Sequence, residues 1–105
     1  MVRIMLVCSS GMSTSLLVCK MNTVAVKEGI QAKVTAIAEA DLKNNMNNMD
    51  VLLLGPQVKF LLTKLKDLLE PKGVPVDVID FSDYGTMNGK NVLEHALRLV
   101  KDKAL

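Results

Sequence analysis

The hydrophobic pattern of this chain switches repeatedly between two periods, and that alternation leaves few folds open to it. Val2–Val7 is a short apolar run of the buried-strand type. Residues 13–28 then place Leu17, Met21, Val24 and Ala25 at helical spacing, with Gly29 positioned to end the helix. Ala32–Ile37 is rich in strand formers, and the polar, asparagine-rich stretch 39–48 predicts a short helix and a turn. Val51–Leu54 is a third buried strand. Gly55-Pro56 stops it, and proline suits the first turn of the helix that follows. That helix gathers Val58, Leu61, Leu62, Leu65, Leu68 and Leu69 on one face, and Pro71-Lys72-Gly73 breaks it. Residues 76–79 read as a fourth strand and 80–89 as a loop with space for a helical turn. Residues 91–103 close the chain as a helix over Val92, Leu93, Ala96, Leu97 and Val100.

Strand followed by helix, four times over, implies a parallel sheet, because parallel neighbours need a crossover and crossovers are right-handed. The expected fold class is α/β: a single doubly wound domain spanning residues 1–105, with a four-stranded parallel sheet in the order 2-1-3-4 and helices on both faces. In such sheets ligands bind beyond the carboxyl ends of the strands, where the order reverses. Here that point lies between the first and third strands, so the loops that begin at Cys8 and Gly55 should face each other.

Composition narrows the function. Aromatic residues make up only 3% of the chain against 50% hydrophobic, so the core must be aliphatic and methionine-based. Met5, Met21, Met46, Met49 and Met87 belong to it rather than to a sulfur ligand set. The 13 basic and 11 acidic residues are interspersed without a long run of like charge, which argues against nucleic acid and membrane surfaces as partners. No stretch approaches the roughly 18 apolar residues of a membrane span, and no targeting segment is visible. A cytoplasmic, monomeric protein without cofactor is expected. Its two cysteines, Cys8 and Cys19, should then be reduced thiols; their spacing fits no zinc pattern, and no metal site is expected.

Cys8 is the residue with chemistry. It follows the first strand and stands just before a helix, whose N-terminal amides and dipole favour a thiolate, the nucleophilic form. Gly11 permits the backbone conformation in which consecutive amides turn inward as an anion nest. Ser9, Ser10, Ser13, Thr14 and Ser15 add hydroxyl donors, and Met12 completes the loop, either as a cap contact or as a docking contact. Residues 9–15 are thus the expected phosphate-binding loop and Cys8 the catalytic nucleophile beneath it. A phosphoryl group on that sulfur would find donors where charge gathers during transfer. The plain alternative is a small buried cysteine beside a serine-rich helix cap, as in a non-catalytic binding module. Phosphatases with a comparable loop carry an arginine at the position of Thr14 and an aspartate, usually before proline, as general acid. This chain has neither, so it reads as a phosphoryl carrier, with a small cysteine-dependent phosphatase or arsenate reductase as the second possibility.

Residues 7–17, Val-Cys-Ser-Ser-Gly-Met-Ser-Thr-Ser-Leu-Leu, resemble the phosphocysteine loop of enzyme IIB in the lactose/cellobiose class of the sugar phosphotransferase system. The resemblance continues at residues 51–57 and 78–80 and at Tyr84-Gly85, with residues 44–48 the least family-like part. It implies that Cys8 accepts a phosphoryl group from a histidine of enzyme IIA. The group then passes to a sugar, such as the β-linked disaccharides cellobiose or lactose, delivered through the membrane component IIC.

Four further residues merit placement. Gln57 should lie across the crevice from Cys8, and Tyr84 on its rim, each as a rim or partner contact. Asp80 would tie its loop to the phosphate-loop backbone. His95, the only histidine, falls beside the apolar face of the last helix, which makes a Cys–His pair improbable.

Overall fold

The structure is a computed structural model; it describes residues 1–8 and 11–103, the side chains of residues 11–13 excepted. Strand β1 (Val2–Val7) leads to helix α1 (Gly11–Lys27), strand β2 (Ala32–Ile37), a 3₁₀ helix (Glu39–Asn45) and strand β3 (Val51–Leu54). A second 3₁₀ helix (Pro56–Leu61) runs into α2 (Leu62–Leu69), and the chain ends with β4 (Val76–Val78), the short α3 (Phe81–Gly85) and α4 (Gly89–Lys103). Among the described residues the strands form one parallel sheet in the order β2-β1-β3-β4, as the alternation of periods requires.

The sheet separates two cores. On one face Ile4, Leu6, Val34, Val51 and Leu53 meet Leu17, Met21 and Ala25 of α1 and Val92, Leu93 and Ala96 of α4. On the other, Met5, Val7, Leu52, Leu54 and Val76 meet Leu42, Met49, Leu61, Leu65 and Leu69. The side chains of β1 and β3 alternate between these faces, so both strands read as unbroken apolar runs. Gly29, at φ +68°, ends α1 in the left-handed conformation expected of it, and the Ile30 N–H reaches back to the Ala25 carbonyl at 2.8 Å.

Two elements depart from the expected pattern. The helix after β3 begins as a 3₁₀ segment, because Val58 (φ −117°, ψ 24°) leaves the helical region and its N–H bonds to the Gly55 carbonyl at 3.0 Å. This bend places Leu68 at 40% exposure, off the apolar face to which its spacing assigns it, and leaves Phe60 on the surface. The stretch after β4 is more ordered than a loop: the Asp80 carboxylate accepts the Asp83 N–H at 3.4 Å and caps α3. Asp80 thus caps its own helix; the tie to the loop after Cys8 that the sequence suggests for it involves residues 9 and 10, which lie outside the described residues.

Candidate active site

Parallel pairing puts Val7 opposite Leu54, so the residues that leave β1 and β3, Cys8 and Gly55, emerge side by side. The Gly55 N–H donates to the Val7 carbonyl at 2.9 Å, and one strand further the Ile79 N–H donates to the Leu54 carbonyl at 2.8 Å. Three loops therefore meet in a row at the carboxyl end of the sheet, at the point where the strand order reverses.

Cys8 is half-buried there as a free thiol. Gly55 makes space for it. A Cβ on Gly55 would lie 2.8 Å from Cys8 Sγ, 2.9 Å from Gln57 Oε1 and 3.3 Å from Cys8 Cβ. The backbone at Gly55 (φ −62°, ψ 151°) is open to any residue, so close approach, and not conformation, calls for glycine. Gln57 is exposed beside it, so the side chain across the crevice and the sulfur flank the same bare Cα. Next to Gln57 a hollow of about 270 Å³ opens between Pro56, Lys59, Val78, Ile79 and Phe81, the last 78% exposed.

Tyr84 is buried, at 7% exposure, where the sequence suggests a rim position. The capped turn of α3 sends its ring inward among Ile4, Leu6, Ile79 and Val92, in the cluster against which Cys8 packs. Its hydroxyl lies close to the side chains of Thr14, Cys8 and Gln57. Burial keeps the phenol protonated to higher pH than usual; Cys8 adds to the effect, while Thr14 and Gln57 work against it. Thr14 is itself only 4% exposed, and among the described residues no buried side-chain nitrogen or oxygen lacks a partner.

Of the other loop candidates, Ser9 and Ser10 lie outside the described residues. Gly11, Met12 and Ser13 form the first turn of α1, with side chains outside the description, and Ser15 is exposed. The first-turn amides of an α-helix have no acceptor within it, and in α1 they belong to the residues that begin three positions after Cys8. His95 stands apart: its Nε2 lies 2.9 Å from Asp77 Oδ2, and Asp77 sits opposite Leu53 in the sheet. Cys19 is exposed on α1. Among the described residues no group of three or more His, Cys, Asp or Glu side chains is placed to hold a metal, and no helix is long and apolar enough to cross a membrane.

Two features of the site escape a reading by residue type. Gly55 reads as a strand stop, although a glycine directly after the strand that neighbours a cysteine is a sign of close approach. Tyr84 reads as a surface turn residue, although the only tyrosine in a chain with 3% aromatics is an unusual choice for one.

The family described as "PTS system, Lactose/Cellobiose specific IIB subunit" matches residues 3–95. The oligo-beta-mannoside-specific EIIB component of Bacillus subtilis is 42% identical over 100 residues, covering 95% of this chain and 97% of that one. The galactose-specific EIIB component of Lactococcus lactis subsp. cremoris is 44% identical over 102 residues, covering 92% and 94%. The solution structure of a cellobiose-specific IIB component from Borrelia burgdorferi superposes with a TM-score of 0.81 at 42% identity, covering 97% of this chain and 94% of that one. The lactose-specific IIB domain of Streptococcus pneumoniae shares the fold, with a TM-score of 0.83 at 17% identity over 93% of this chain and 96% of that one. The chain therefore belongs to the lactose/cellobiose class of IIB subunits of the sugar phosphotransferase system.

Proposed function

We propose that this IIB subunit is a phosphocysteine relay, with Cys8 as the residue that carries the phosphoryl group. The observation that carries the reading is the position of the sulfur: half-buried at the switch point of the sheet, ahead of the first turn of α1 and beside a glycine whose Cβ would strike it. In the loading step the Cys8 thiolate donates an electron pair to the phosphorus of a phosphohistidine on enzyme IIA. The nitrogen–phosphorus bond breaks, and its electron pair leaves with the imidazole. The loop 9–15 and the first-turn amides of α1 would hold the phosphoryl oxygens as charge builds on them. In the second step the phosphoryl group passes to a sugar hydroxyl presented by IIC, whose proton goes to a base on that partner.

The same geometry favours a carrier over a hydrolase. The position at which a phosphatase clamps phosphate with arginine is Thr14, and Thr14 is buried against Tyr84. Of the two arginines, Arg3 is held by Asp50 at 3.0 Å near the start of β1, the opposite end from Cys8, and Arg98 lies on α4. The relatives named for oligo-β-mannosides and cellobiose point to a β-linked sugar as the final acceptor. Gln57, which flanks Gly55 opposite the sulfur, and the exposed Phe81, which lines the hollow next to Gln57, are proposed contacts for the partner proteins, which act on this subunit in the cytoplasm.

Intact-mass measurement after incubation with phosphorylated IIA tests the relay. One added phosphoryl group is expected on the wild-type protein and none on Cys8→Ser. Equal uptake by Cys8→Ser, or steady hydrolysis of a simple aryl phosphate without any partner, would overturn it.

A further inference from the structure

At the other end of the sheet from Cys8, two cations stand side by side. Arg3 of β1 lies opposite Lys33 of β2, and two residues on Met5 lies opposite Thr35, so all four project from one face of the sheet. Together with Asn45 and Asn48 they line a hollow of about 260 Å³. It opens roughly 16 Å along β1 from Cys8, clear of the proposed phosphoryl site. Like charges in opposite positions of neighbouring strands destabilise a sheet, and a breach of this kind marks functional sites. Asp50 answers Arg3, through hydrogen bonds of 3.0 and 3.2 Å, but among the described residues Lys33 has no ion-pair partner.

The hollow is rich in donors that the fold leaves unused. A guanidinium has five N–H groups; Asp50 takes two from Arg3, and the Asn47 carbonyl takes a third at 3.3 Å. The Thr35 hydroxyl donates at 3.3 Å to the thioether of Met5, a weak acceptor that a charged oxygen would replace. Lys33 and Asn48, both exposed, add an ammonium and an amide. Asn45 differs: its Nδ2 already donates to the Asp41 carbonyl at 2.8 Å, which leaves its Oδ1 as an acceptor. We propose that this hollow binds a small phosphate monoester of sugar size, with the phosphate among Arg3, Lys33, Thr35 and Asn48 and a sugar hydroxyl on Asn45 Oδ1. The donors come from β1, from β2 and from the segment after the first 3₁₀ helix. Such a spread suits the three terminal oxygens of a phosphate better than the two in-plane oxygens of a carboxylate. Since Asp50 offsets Arg3, Lys33 supplies the net positive charge that draws the anion. The site stands whether or not Cys8 carries a phosphoryl group, and it gives a role to asparagines that the relay does not use.

Titration of the isotope-labelled full chain, followed through its backbone amide NMR shifts, tests the proposal with three probes: a hexose monophosphate, inorganic phosphate and the unphosphorylated hexose. The hexose monophosphate should give saturable shifts at Lys33, Thr35, Asn45 and Asn48. Inorganic phosphate should move the same amides with weaker affinity, and the neutral hexose should leave them in place. Lys33→Gln should bind the hexose monophosphate about tenfold more weakly, the scale of one hydrogen bond to a charged group, and Lys33→Arg should bind as wild type does. Asn48→Ala, on the separate segment, reads the same loss should Lys33→Gln not fold. Absence of saturation, or shifts confined to the residues around Cys8, overturns the proposal. Equal affinity for inorganic phosphate overturns the sugar contact at Asn45, and equal response to the neutral hexose, or unchanged affinity in Lys33→Gln, overturns the anion site itself.

Discussion

A single methyl group at Gly55 is enough to test how tightly the sulfur is placed. Alanine adopts the Gly55 backbone angles without strain, so the substitution acts only through the atom it adds, 2.8 Å from Cys8 Sγ. Gln57 can swing its amide away, but Cys8 sits at the end of a buried strand, and its sulfur must rotate or shift. Overpacking of this kind costs about 1–3 kcal/mol. The larger effect should fall on transfer, where a displacement of about 1 Å lowers rates on the order of 10²-fold. Gly55→Ala is therefore expected to remain folded by circular dichroism while its rate of loading from phosphorylated IIA drops by that order. Loading at the wild-type rate would show that the sulfur has slack the structure does not suggest.

At the level of elements, the outer strand β2 is protected by a side chain. Asn22 of α1 donates to the Val34 carbonyl and accepts the Val34 N–H, both at 3.0 Å, as a neighbouring strand would. Asn22→Leu should lose about 1–2 kcal/mol in urea unfolding and, with the edge opened, self-associate as concentration rises; a variant that stays monomeric would show that the edge needs no guard. A second tie, between β1 and the start of β3, responds to pH. Arg3 hydrogen-bonds the Asp50 carboxylate at 3.0 and 3.2 Å and holds its pKa below the usual carboxylate range. A pKa lowered by folding adds stability above the unfolded value, about 3.9, and that stability disappears as pH falls through the lower folded value. Asp50→Asn should be less stable than wild type at neutral pH and lose less on acidification. Elements are also where the sequence was most legible. Val51–Leu54 is legible as a strand because a short, fully apolar run leaves no helical stripe, and Ala32–Ile37 because it holds the β-branched Val34, Thr35 and Ile37, although only Val34 of that strand is buried. The segment after β3 was legible as a helix but not as a bent one, since its bend comes from Val58 and the Gly55 carbonyl, a local bond that apolar spacing does not encode. Cys8 was visible from its place between a strand and a helix. The inward turn of Tyr84 was not, because it depends on the cap that Asp80 gives α3 and on a core assembled from distant segments.

On the scale of the whole molecule, the two faces of the sheet have different duties. The face covered by α1 and α4 holds the site, because α1 carries Thr14 and follows Cys8, while Tyr84 lies in the same core. The face covered by α2 supports the strands from behind. Equal losses of stability on the two faces should therefore have unequal effects on transfer. Leu65→Ala on α2 removes a side chain that is 1% exposed, at a cost of about 2–5 kcal/mol, a large part of the roughly 5–15 kcal/mol typical of a domain. The molecules that remain folded keep Cys8, Gly55 and Tyr84 in register, so transfer per folded molecule should stay at the wild-type level. Gly89→Ala acts on the other face. Its Cβ would lie 2.8 Å from the Lys20 carbonyl carbon and 3.0 Å from the carbonyl oxygen, backbone atoms of α1 that cannot rotate aside. Helix α4 must then draw back from α1, and the cost of about 1–3 kcal/mol corresponds to several degrees in melting temperature. Since α1 carries most of the residues proposed to bind the phosphoryl group, this smaller loss of stability should lower transfer per folded molecule, where the larger loss at Leu65 does not. Melting curves and loading rates, each corrected for the folded fraction, decide the matter; a fall in both variants in proportion to stability would mean that the sheet transmits strain between its faces and that the site is not carried by one of them alone.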